Sequence, residues 1–130
     1  WLRWAGVATV AGVIFYASIL TVPPGTPLET VKPELIPLDK WYHFLGYAAF
    51  GLSLAYATTD WDANRRWLFV GVFALTVVYG VGIELVQSQL PARYYSLADA
   101  YANAFGALFV LPWYALRPRL SLVPIREILR

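Results

Sequence analysis

The sequence has no cysteine, a single histidine and few charges. Without cysteine, neither a disulfide framework nor a thiolate metal site can form. One histidine, His43, excludes a His-rich metal site. Charged residues make up 14% of the chain. A soluble domain of this size carries roughly 25%, so too little polar surface is available to coat a water-soluble globule. The net charge of +2 is weak, and no Arg/Lys stretch is interleaved with aromatics in the manner of an RNA-binding surface. No nucleic-acid partner is expected. No repeat or low-complexity tract breaks the chain, and its 130 residues fit one domain.

What the sequence does have is long apolar runs. Trp4 to Val22 carries no charge. At about 1.5 Å per residue it crosses a hydrocarbon core of roughly 30 Å. The run has no A-x-A-type cleavage site and is long for a signal h-region, so a retained helix is expected. Pro23, Pro24, Gly25 and Pro27 end it. Further spans are expected over about 40–58, 67–90 and 97–116, joined by the charged loop around Asp60–Arg66 and a tight turn over 91–96. The tail from Arg117 to Arg130 mixes arginines with apolar residues and suits a short surface helix. All six tryptophans fall at or just outside span ends, as interfacial enrichment predicts. The alternative is a soluble bundle with tryptophan in its core. The expected fold is therefore all-α: a single-domain integral membrane four-helix bundle, with the lipid bilayer as its first partner. Arg3, Arg65, Arg66 and the four tail arginines lie on one side, against Lys32, Lys40 and Arg93 on the other. This bias puts both termini in the cytoplasm.

Charges within spans are costly and usually face a bundle interior or a wet cavity. Here they recur at helical spacing. Lys40, His43 and Tyr47 share one stripe, and Asp39 lies four residues before His43. Glu84 and Gln87 follow Gly80 on the third helix, and Asp99, Asn103 and Gly106 line the fourth. All begin or end near the outer side. The spacing thus gathers Asp39, Lys40, His43, Glu84, Gln87, Arg93, Asp99 and Asn103 into one outward pocket, with Gly80, Gly82 and Gly106 allowing close helix approach.

The segments DKWYHFLGYAAFG and GIELVQSQLPARYYSLADAYANAFGAL resemble the VanZ-like family of small membrane proteins. The family pattern D-K-x-x-H-F falls on Asp39, Lys40, His43 and Phe44. G-x-x-x-E-x-x-Q falls on Gly80, Glu84 and Gln87. R-x-x-S-x-x-D-x-x-x-N-x-x-G falls on Arg93, Ser96, Asp99, Asn103 and Gly106. The resemblance covers about residues 39–110, and the first helix contributes only hydropathy. One departure is the stretch SQLPA before Arg93, which lacks the glycine the pattern leads one to expect. The resemblance implies a multi-pass protein of a bacterial or archaeal cytoplasmic membrane, and a link to the cell envelope and glycopeptide resistance. It implies no settled reaction.

Three functions stay open. Lys40, Arg93 and His43 suit the phosphate of an anionic lipid or envelope-precursor headgroup. Asp39, Gln87, Asp99 and Asn103 would help bind it, and Glu84 with His43 form the acid/base candidates. Enzyme and pure binder are equally compatible with this reading. The second function is a non-catalytic accessory subunit packed against other membrane subunits. The third is a small proton-coupled carrier, for which four helices without an inverted repeat are few. The structural alternative makes the polar set interhelical glue: Asp99 with Ser96 capping the fourth helix, Asp39 capping the second, and Glu84 pairing with Lys40 or Arg93. No cofactor motif is present. The spacing of the carboxylates around His43 spells no hard-metal site, so no metal is expected either.

Overall fold

The structure, a computed structural model, describes residues 1–20, 38–90, 97–123 and 125–129. The side chains of residues 38, 39, 125 and 126 also fall outside that description. Every regular element among the described residues is helical. α1 spans Leu2–Phe15 and continues as a π-helical turn over Tyr16–Leu20; α2 spans Leu38–Ala57 and α3 Arg65–Ser88. α4 covers Leu97–Leu108, α5 covers Leu111–Leu116, and a 3-10 turn runs over Arg117–Arg119. A last helical turn, α6, is Ile125–Ile128.

Local chemistry accounts for these boundaries. Asn64 caps α3 by accepting the Arg66 backbone N–H at 2.9 Å, an interaction worth about 0.5–2 kcal/mol. The expected span over 97–116 is broken: two turn residues, Phe109 and Val110, separate α4 from α5. Pro112 explains the break, because its ring meets the carbonyl four residues back, that of Leu108, and it offers no N–H to continue the ladder. The expected single tail helix is likewise replaced by two short turns. Pro118 withholds the N–H that a continuous helix would need there.

Among the described residues, two helices are long and apolar enough to cross a membrane: Leu2–Leu20 and Arg65–Ser88. α2 has the length, but Asp39, Lys40 and His43 lower the hydropathy of its first half. The core lies between α1, α2, α3 and α4, with Val7 and Ile14 reaching into it from α1. It includes Tyr47, Phe50, Leu54 and Ala55 from α2, Val72, Thr76 and Ile83 from α3, and Ala107 with Val110 beyond them. The closest approach is between α2 and α4. A Cβ on Gly106 would overlap the Phe44 carbonyl oxygen and stand 3.1 Å from the Ala48 nitrogen. Only a hydrogen fits there, so the two backbones touch directly. Gly80 does the same more mildly: a Cβ there would lie 3.0 Å from the Tyr47 ring and 3.2 Å from Asn103 Nδ2. Gly82 does not take part, contrary to expectation, for a Cβ would meet nothing within 4 Å. It sits two residues from Gly80, about 200° around the helix, and so faces outward.

None of the six tryptophans is buried. Trp4 and Trp61 pack together with ring centroids 6.1 Å apart. The exterior is rich in large apolar side chains, among them Leu45, Val78, Leu85, Phe105 and Leu111. α1 is stitched to α3 by two bonds: the Tyr79 hydroxyl donates to Ala11 O at 2.7 Å, and Gln87 Nε2 to Ser18 O at 2.9 Å.

Candidate functional site

The first turns of α2 and α4 meet the last turns of α3 at one end of the bundle. Six of the eight residues expected to form a pocket have described side chains: Lys40, His43, Glu84, Gln87, Asp99 and Asn103. Five of them come together; Gln87, buried on the same face of α3 as Glu84, turns toward α1 and bonds Ser18. Arg93 and Ser96 lie outside the described residues. Asp39 falls within the first turn of α2, with its side chain outside the description.

Lys40 Nζ donates to Asp99 Oδ1, joining α2 to α4. Asp99 stands in the first turn of α4, where the helix macrodipole also favours a negative charge. One turn further in, His43 Nδ1 lies 3.0 Å from Asn103 Oδ1. A carbonyl oxygen only accepts, so in this contact Nδ1 is the donor. The other ring nitrogen, Nε2, is 3.8 Å from Asp99 Oδ2. Glu84 forms the floor at 1% exposure, with Oε1 4.0 Å from His43 Nδ1. The arrangement descends from Lys40 and Asp99, whose side chains are 21% and 15% exposed, to a fully covered carboxylate. Among the described residues it holds two carboxylates and one ammonium.

Of the two cations weighed for Glu84, Lys40 bonds Asp99, and Arg93 lies outside the described residues. Lys40 is the outermost cation on α2, and Asp99 faces it from the same depth on α4. Asp99 thus carries an ion pair from the first turn of α4, and the capping foreseen with Ser96 lies outside the described residues.

Tyr47 belongs to this site although it was not among the expected site residues. Its ring stacks on that of His43 at 6.5 Å and 7°. It is 2% exposed, and its hydroxyl has no hydrogen-bond partner among the described residues. The signal was in the sequence: Tyr47 lies four residues after His43 on the Lys40 stripe. The α1 contribution was not legible, because a backbone carbonyl leaves no mark in a side-chain pattern.

Chemically, the cluster offers an imidazole between two carboxylates, with an ammonium at its rim. It can orient a polar ligand, exchange a proton through His43, or hold a cation. Comparisons with family models, with curated proteins and with solved structures find no match.

Proposed function

We propose that this chain is a VanZ-like multi-pass membrane protein, both termini cytoplasmic, that binds or processes an anionic lipid or envelope-precursor headgroup at its outer-leaflet end. The observation that carries the reading is a buried polar cluster at one end of a bundle whose outer faces are apolar, with Lys40 and Asp99 partly exposed. Exposed Leu45, Leu85 and Phe105 near that end suit acyl chains. Lys40, at the rim, is the described side chain that suits a phosphate. In this reading Arg93, in the adjoining turn, supplies a second cation. Glu84 and His43, deeper in, meet the headgroup's hydroxyls or activate water. The exposed tryptophans support lipid as the solvent, because a soluble bundle would place some of them in its core.

The test is lipid retention by the purified chain in nanodiscs of mixed phosphatidylglycerol and phosphatidylcholine, read by native mass spectrometry. The wild type is expected to keep phosphatidylglycerol preferentially. Lys40→Ala is expected to weaken that preference about 10–100-fold, since a charge-assisted hydrogen bond is worth roughly 1.5–3 kcal/mol. Equal retention of the two lipids by the wild type would overturn the reading.

A further inference from the structure

At the end of the bundle opposite the polar cluster, a groove of about 460 Å³ runs between the start of α3 and α5. Small-molecule sites commonly measure about 300–1,000 Å³. α3 supplies Arg65 and Arg66 in its first turn and Phe69 and Val70 one turn on. α5 supplies Leu111 and Ala115. The step from Arg66 to Val70 is about 6 Å along the helix axis. Phe69 and Tyr114 meet edge-on, with ring centroids 6.0 Å apart at 77°, and tie the two helices together. The groove is therefore cationic at one end and apolar one turn further along.

The two guanidinium groups have donors to spare. Both arginines are exposed. Among the described residues neither is paired with a carboxylate, and Asp60 of the adjoining connection is engaged by Arg3 at 2.6 Å. Arg65 Nη1 reaches the Tyr114 carbonyl at 3.4 Å, which uses one of five N–H donors. Arg66 bonds through its backbone N–H to Asn64, which leaves its planar fork for an anion. Phosphate fits such a fork in bidentate fashion.

Height in the bilayer agrees with charge. α3 is long and apolar enough to span, so its first turn lies at the headgroups and Phe69 and Val70 lie among the acyl chains. Trp67, next to the arginines and 73% exposed, suits that same level.

We propose that this groove holds an anionic phospholipid of the leaflet at that end, its phosphate on Arg65 and Arg66 and an acyl chain along Phe69, Val70, Leu111 and Ala115. Basic pockets between membrane helices on the cytoplasmic side recognise anionic headgroups in this way. A second copy of the chain fits less well, because a two-fold axis along the bilayer normal would set arginine against arginine. A soluble phosphate would leave the apolar walls uncovered. With the headgroup reading the proposal shares only the bilayer; its residues lie at the other end.

The experiment titrates the full chain in detergent with dioleoyl phosphatidylglycerol or phosphatidylcholine and counts retained lipid by native mass spectrometry. Phosphatidylglycerol is expected to be retained in preference. Arg66→Gln should weaken its retention about 10–100-fold, the range for a charge-assisted hydrogen bond. Arg119→Gln, the same change of charge on an exposed residue outside the groove, should leave it unchanged. Ala115→Trp fills the groove with both arginines intact and should displace the lipid. Glycerol phosphate should not compete. Equal losses from Arg66→Gln and Arg119→Gln would reduce the site to diffuse surface charge and overturn the proposal. Retention by Ala115→Trp, or competition by glycerol phosphate, overturns it as well. An Arg66-dependent lipid that survives Lys40→Ala supports it whether or not the headgroup reading holds, and loss of the same lipid in both variants overturns it.

Discussion

The two ends of the bundle use the same kinds of residues in opposite ways. At the end formed by the N-terminus and the 58–66 connection, Arg3 pairs with Asp60 at 2.6 Å and lies over the Tyr56 ring at 4.8 Å. Trp4 and Trp61 pack beside them with tilted rings. Asp60 is largely exposed there, with its side chain at 74%. At the other end, Lys40 and Asp99 form the same type of ion pair but are mostly covered, above a carboxylate that is fully buried. An exposed pair is worth about 0–1 kcal/mol. A covered one has given up hydration and must be held by its surroundings. The contrast says where the fold invests its precision: the first end is assembled from exposed rings and loosely held charge, the second from backbones in contact.

The largest effect should come from breaking that contact. Gly106→Leu forces the α4 and α2 backbones apart at Phe44 and is expected to cost about 4 kcal/mol or more in thermal or denaturant unfolding in detergent. Gly6→Leu, in α1 where a Cβ meets nothing within 4 Å, should leave stability unchanged or raise it by about 0.5–1 kcal/mol. Equal losses from the two would erase the difference between the ends. A smaller effect is expected from Asp99→Asn, which removes the carboxylate that Lys40 bonds between α2 and α4; roughly 2–3 kcal/mol should be lost. The double replacement Lys40→Met with Asp99→Leu should recover much of it, because both covered charges then go together. The smallest effect is expected from Asp60→Asn, about 0–1 kcal/mol. High salt should remove what remains of that term while leaving the Asp99→Asn loss in place. A salt-sensitive Asp99 loss would mean that the Lys40 pair is as wet as the Arg3 pair.

Much of this organisation was legible in the sequence. Long apolar runs located α1 and α3, and the recurrence of polar residues at three and four positions placed Lys40, His43, Glu84, Asp99 and Asn103 on facing stripes. Periodicity fixes which residues share a face, and it did so here. It carries no distance between helices, which is why Lys40 was not assigned to Asp99. Gly80 and Gly82 look alike in a list of small residues, yet only the first points into the packing. Pro112 was visible, but length and apolarity alone favoured one span where the proline ring imposes two helices. The contact of His43 Nδ1 depends on the Asn103 carbonyl, and that is a property of α4 rather than of α2.

The π-helical turn at Tyr16–Leu20 has its own consequence. Each hydrogen-bonded ring there encloses one more residue than an α-helical ring, so the segment behaves as if one residue had been spliced into α1. Within it, the later residues are turned by up to about 100° relative to an uninterrupted helix. That turn is what presents the Ser18 carbonyl to Gln87, the neighbour of Glu84 on the inner face of α3. Deleting one residue from the turn would make the winding regular and carry this oxygen to another side. The number of residues in the first helix, as much as its apolarity, thus sets the phase in which α3 is held.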